Sequence, residues 1–385
     1  IEYSEQAEDN NNNNNTNNNI QTNLFISDFD SLYNVSLRQL IRTKQTNISS
    51  INKHSSKKEI EHMIFETQDN EIETPHLQLK GYSKLSYGKS SQQQINKLAF
   101  NKINSSIIVS STNKWIYFLD DNLNTISKLR PSDSETSDLH YINHNGKLMG
   151  LICTSDGCIH LCNNNSKECS VSWRADSNYS LAKIPQYCTY LERTFQIISS
   201  RGSNSTILWD LNSQKLVNEW VTSNNINATS IESDINDGNI CYIGYSNGEI
   251  NLFDIRSNEL IYKNSINTNL SGEIIKIHCN YENIYFATEK GVAIYDKRNN
   301  QFNNLHQESK SLFTHFSYQP KFSLFSSIAN NEQPKLYDFS GNVIYDTTQL
   351  KKNFENSIFE FHSCLPIISF GSRNGEICSY NIISQ

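Results

Sequence analysis

The densest set of potential metal ligands in the sequence is Cys153, Cys158, His160 and Cys162. Thiolate sulfur and imidazole nitrogen are the donors zinc favours. Cys158, His160 and Cys162 alternate along a strand-like run, so they share one of its faces. The set lacks the paired C-x2-C spacing of structural zinc sites. Buried free thiols are therefore the expectation, with no metal and no cofactor. The ten histidines are scattered, and no H-E-x-x-H occurs. G-x-S-x-G is absent, as are G-x-x-x-x-G-K and G-x-G-x-x-G, so neither a nucleophile elbow nor a phosphate cradle is in view. No set of converging carboxylates stands out at repeating positions. The chain is expected not to be an enzyme.

The elements that would carry these residues repeat. Seven strand-like runs end in an aromatic or apolar residue followed by Asp or Asn: Leu119-Asp120, Cys162-Asn163, Trp209-Asp210, Phe253-Asp254, Tyr295-Asp296, Tyr337-Asp338 and Tyr380-Asn381. Successive marks lie 42 to 47 residues apart. A period in the low forties with this ending is the signature of a WD40-type β-propeller blade. The fold expected is all-β and seven-bladed, spanning residues 74–385. The Asp or Asn of each mark is expected to be structural, tying the third strand to its neighbours.

Each blade needs four antiparallel strands, a to d. Candidate first strands include Ile95–Phe100, Leu139–His144, Glu273–Cys279 and Ile358–His362. Candidate fourth strands are Thr125–Leu129, Glu168–Trp173, Lys215–Trp220, Glu259–Asn264, Gln301–His306 and Asn342–Thr347, six for seven blades. The residues after Tyr380 are too few to turn and form another. An unpaired edge would leave the ring open. The missing strand is therefore expected from residues 74–90, with Leu85–Gly88 the first choice and Leu77–Lys80 the second.

Residues 1–73 read differently. The first 23 are acidic and Asn-rich, with little to bury, and are expected to be disordered. Residues 28–45 and 55–68 carry apolar residues at helical spacing and are expected to form short helices, joined by a polar linker. The chain begins at Ile1 rather than Met, so a fragment is expected, and any targeting signal could lie upstream.

Net charge is −7, of which Glu2, Glu5, Glu8 and Asp9 supply −4, leaving −3 on the rest. That balance argues against nucleic acid as a main partner, because phosphate binding needs clustered Lys and Arg. No apolar run approaches the ~20 residues of a membrane span, so direct membrane insertion is not expected. Nine cysteines at irregular positions suit free buried thiols in a reducing compartment.

Turns between the second and third strands are polar or Gly-bearing, as in Ser155-Asp156-Gly157, Ser246-Asn247-Gly248 and Arg373-Asn374-Gly375. They lie on the same rim as the connections between blades in this fold. Asn113, Asp156, Arg201, Asn247, Glu289, Asn330, Arg373 and Asn374 are the candidate partner-binding residues of that rim, because binding residues concentrate on loops held by a rigid scaffold. For any single one, a plain solvated turn is the simpler reading.

Two stretches go beyond a generic repeat. Residues 215–257 contain ATSIESD followed by GNI, and residues 334–382 contain LYDFSGNVI and FHSCLPIISFGSRNGEICSY. Both resemble the C-terminal propeller of raptor, the scaffold subunit of TOR complex 1, in its fungal form. The resemblance spans about residues 95–385 and is most specific in the last four blades. It implies a non-catalytic scaffold in nutrient-dependent growth signalling, with a TOR kinase and its associated subunits or regulators as partners. It also implies a cytoplasmic protein, or one held at the vacuolar or lysosomal surface through its complex. The alternatives are another WD-repeat adaptor, in ubiquitin ligation, vesicle coats or chromatin complexes, and a propeller hydrolase or lyase.

Overall fold

The computed structural model describes residues 76–383, apart from 86–92, 167, 175–184, 202–204, 222–225, 235–236, 258–265, 268–269, 308–311, 320–323, 330–331, 351–353 and 356. Within them the chain forms seven four-stranded antiparallel sheets. The two helices expected at 28–45 and 55–68 lie outside the described residues, as does the Glu259–Asn264 strand. Among the described residues the outer strand of that fourth blade is Ile266–Asn267.

Six blades are successive meanders. Blade 1 runs Ile95–Phe100, Ile107–Ser111, Ile116–Leu119 and Thr125–Leu129. Its second and third strands, IIVSS and IYFL, are buried at every position, which is why they lack the polar alternation of a half-exposed strand. The fourth strand is mostly exposed. The first strands of neighbouring blades touch in sequence, and that of blade 7 (Ile358–Phe361) touches that of blade 1. The seven first strands therefore surround a common axis and the ring is closed.

Closure uses the N-terminal side. Blade 7 takes three strands from the C-terminal end and its outermost from His76–Lys84. That strand pairs antiparallel with Glu376–Ile383, from His76 opposite Ile383 to Lys84 opposite Glu376. The second of the two candidates, Leu77–Lys80, lies inside it. The first is corrected: Leu85 is a buried residue just past the strand, its N–H bonded to the Gly375 carbonyl at 2.9 Å, and Ser86–Gly88 lie outside the described residues. His76–Lys84 has a bulge between Leu79 and Gly81, leaves Leu79 and Tyr82 exposed and has no fully buried residue, as befits an edge strand.

The core lies between blades rather than within them, as sheet-on-sheet layers. At the seam of blades 7 and 1, a Cβ added to Gly371 would stand 2.6 Å from Cγ2 of Ile95, so only hydrogen fits there. Gly244 makes the same allowance for Ile274 between blades 4 and 5.

The Asp and Asn marks are structural. Asp120 Oδ1 accepts from the N–H groups of Asn122 and Asn124 at 2.9 and 2.7 Å, and Asp338 Oδ1 does the same for Ser340 and Asn342. Asn163, Asp210, Asp254 and Asp296 each accept from the backbone two residues on. Each closes the turn into the fourth strand as a side-chain mimic of a backbone turn. Asn381 has no such turn after it and sits inside the last strand.

Candidate functional site

The turns between second and third strands do share a rim with the interblade connections. The N–H of Thr112 bonds to the carbonyl of Gln94, Ser155 to Glu135, Ser246 to Asn227 and Glu289 to Glu273, each linking a turn to the segment entering its own blade. On this rim Asn247, Arg373 and Asn374 are exposed, and Asn113, Asp156 and Glu289 are half-buried. Several stabilise their own turns. Asp156 Oδ1 accepts from the Thr154 hydroxyl and the Cys158 N–H, Asn247 Oδ1 accepts from the Glu249 N–H, and Asn113 Oδ1 accepts from the Ser111 hydroxyl. The Arg201 backbone ends the second strand of blade 3, opposite Gln186. Asn330 lies outside the described residues. The candidate rim residues thus come from separate turns around the ring, except that Arg373 and Asn374 are neighbours in the turn of blade 7.

The sequence-predicted cysteine group does not assemble. Cys162 pairs with Cys169 of the next strand in a disulfide, which corrects the expectation that all nine cysteines are free thiols. His160 is buried, its Nδ1 bonded to the Ser172 hydroxyl at 2.8 Å and its Nε2 3.3 Å from the Thr154 hydroxyl, so both ring nitrogens already have partners. The other seven cysteines are in no disulfide.

What sequence reading missed is the axis. The expectation of no converging carboxylates is corrected: the first strands carry Lys97, Asp138, His140, Glu232, Lys276, His278, His315 and Glu360 around it. Asp138 Oδ2 lies 3.0 Å from His140 Nε2. Glu360 accepts from the Ser317 hydroxyl at 3.1 Å, and His278 Nε2 lies 4.0 Å from its carboxylate. Lys276 of blade 5 acts electrostatically on Asp138 of blade 2, Glu232 of blade 4 and Glu360 of blade 7, so these charges face one another across the axis. Beyond them, Lys102 of blade 1 bridges to Glu192 of blade 3 at 2.6 Å.

Burial sets the titration of this group, and the pairs then modify it. Burial resists charge on Asp138, but the His140 imidazolium, with Lys276 and Lys97 behind it, holds the carboxyl well below the usual range. Burial likewise resists charge on His140, but Asp138 overrides it and pushes the imidazole up to about 10. Burial lifts Glu360 to about 7, against the pull of Lys276. His315 is lowered to about 3 by burial and by Lys97. Among the described residues, Asp138, His140 and Cys188 bring ligand-type atoms within 4.8 Å of one another, on the two facing blades 2 and 3.

The chain was also compared with known proteins. No protein-family model and no curated protein matches it. Among solved structures, the crystal structure of Chaetomium thermophilum Raptor is similar, with a TM-score of 0.70 and 19% identity over 82% of this chain. The likeness is one of fold, and the aligned part covers 29% of that longer chain.

Proposed function

We propose that this propeller is a non-catalytic interaction scaffold that helps assemble a TOR kinase complex, as a raptor-like subunit. One observation carries the reading: the chain whose residues 215–257 and 334–382 resemble that family in sequence also matches Raptor in fold over 82% of its length. The rim of turns between second and third strands is the proposed docking surface. Its exposed side chains stand on turns fixed by their own hydrogen bonds, which lowers the ordering cost of binding.

The test is affinity purification of the full-length protein with identification of what it retains. Recovery of a TOR kinase is expected. Simultaneous Asp156→Ala, Asn247→Ala and Arg373→Ala substitution should lower that recovery by about tenfold, the loss of a contact or two at the centre of an interface. A native protein that recovers no TOR kinase sinks the proposal.

The convergence of Asp138, Glu232 and Glu360 on the axis favours a second reading, a propeller hydrolase or lyase. Against it, Asp138 is paired with His140, and Glu360 is bonded to Ser317 and faces Lys276. Hydrolysis of generic ester or glycoside substrates that disappears in Glu360→Gln would favour the second reading over the first.

A further inference from the structure

Three donor groups, Asp138, His140 and Cys188, bring their ligand atoms within 4.8 Å of one another where blade 2 faces blade 3, and a fourth, Cys153, adjoins Cys188. Asp138 and His140 stand two residues apart on the first strand of blade 2, so both project from the same face. Cys153 lies on the second strand of that blade, directly opposite Asp138 in the ladder, and shares that face. Cys188 comes from the first strand of blade 3. Its sulfur is 3.0 Å from that of Cys153, well beyond the roughly 2.05 Å of a disulfide bond. Its backbone N–H donates to Asp138 Oδ2 at 3.2 Å. Both thiols are fully buried, while Asp138 and His140 keep a fifth or less of their side-chain surface exposed.

We propose that Asp138, His140, Cys153 and Cys188 form a structural zinc site that staples blade 2 to blade 3. Two thiolates, one imidazole and one carboxylate are a donor set suited to a borderline-soft divalent ion in tetrahedral coordination. The four ligands come from three strands of two blades, so an ion that drew Cys153 in beside the other three would have no protein-defined open position. An outer layer is already present: the N–H of Leu139 holds Asp138 Oδ1 at 3.0 Å, fixing the carboxylate, as supporting bonds around metal ligands do. Charge also balances. Zn2+ with two thiolates and a carboxylate carries a net charge of about −1. The Lys97 and Lys276 ammoniums act on that same carboxylate. Binding releases the two thiol protons, and the imidazolium proton with them, to solvent.

The ion changes what the two sulfurs do. Without it, two buried thiols and an Asp–His pair meet across an interblade joint. With it, the joint gains bonds that span the two blades and that no backbone hydrogen bond supplies.

The full chain, purified under reducing conditions and given Zn2+ alone, should retain about one zinc per molecule through dialysis. Replacement by Co2+ should give the near-ultraviolet thiolate-to-cobalt charge-transfer absorption together with the intense visible bands of a tetrahedral site. Cys188→Ala and Cys153→Ala should each lose most of the charge-transfer intensity, whereas Cys364→Ser, outside the site, should leave it unchanged. Asp138→Asn preserves the side-chain shape and should weaken zinc retention against a competing chelator by at least about tenfold. That variant guards against cysteine substitutions that fail to fold. The inference is overturned by a native protein that retains no zinc, by a cobalt spectrum without thiolate charge transfer, or by an unchanged spectrum in both cysteine variants. Mass mapping that finds Cys153 and Cys188 joined as a disulfide under the same conditions overturns it too.

Discussion

Protonation of His362 should unlock the seam between blades 7 and 1. His362 follows the first strand of blade 7 and is fully buried. Its Nε2–H donates to the Asn104 carbonyl of blade 1 at 2.9 Å, and its Nδ1 accepts from the N–H groups of Cys364 and Leu365, each at 3.0 Å. This arrangement fits only the neutral ring, because a proton on Nδ1 would face two donors. Burial lowers its pKa from 6.5 to about 4; the Asn104 carbonyl opposes this and the Lys80 charge adds to it. The unfolded chain takes the proton near 6.5, while the folded chain refuses it until about 4. The stability His362 contributes is therefore complete above 6.5 and is lost as the pH falls towards 4. The loss is about 2 kcal/mol at pH 5 relative to pH 8, and about 3 kcal/mol near pH 4. His362→Gln can still donate to Asn104 and cannot titrate. Urea denaturation followed by circular dichroism at pH 8 and pH 5 measures both proteins. His278 and His315 are present in both and cancel in the difference. The gap between wild type and variant should shrink by about 2 kcal/mol on going to pH 5. A gap that stays constant refutes the reasoning.

Glu360 should act in the opposite sense: burial lifts it to about 7, so its contribution is present below pH 4.5 and is lost as the pH rises to 7, by about 3 kcal/mol at most. Glu360→Gln should flatten that decline in denaturation curves collected between pH 4.5 and 7.5. Gly371→Ala forces a methyl against Ile95 and should cost about 1–3 kcal/mol, read as a lower denaturation midpoint with an unchanged slope. Asp338→Ala removes two bonds to turn N–H groups and should cost about 1 kcal/mol in the same assay. Deletion of residues 74–84 exposes the edge of Glu376–Ile383 and should give aggregates on size-exclusion chromatography, where a monomer as stable as the parent would contradict strand donation.

The blades were legible because each repeats the same demands. An apolar pair of central strands, an Asx residue to close the third-to-fourth turn, and Gly or Asn in the tight turns recur at fixed spacing. The closing strand was legible by count but not by exact place, since Leu77–Lys80 and Leu85–Gly88 have similar short apolar patterns. Only the ladder to Glu376–Ile383 distinguishes them. The axial cluster escaped for a different reason. Its members are of different types at nearly matching positions: Lys97, Asp138, Glu232, Lys276, His315 and Glu360. A search for one residue type that recurs finds nothing there. The usable signal was a charged residue or histidine flanked by apolar ones in the first strand, as in Ile-Lys-Ile-His at 275–278 and Phe-Glu-Phe at 359–361. The Asp138–His140–Cys153–Cys188 group was hidden further, because Cys188 is far along the sequence and meets the others only when blade 3 packs on blade 2.

The union of His76–Lys84 with Glu376–Ile383 also sets an order of events in time. During synthesis six blades have all their strands before the last one exists, yet the circle cannot seal until Ile383 has left the ribosome. Until then His76–Lys84 has no ladder to join, which leaves a closure spanning about 300 residues to the final step. The same joint is the natural place for the circle to come apart, since opening there breaks one ladder and leaves six blades whole.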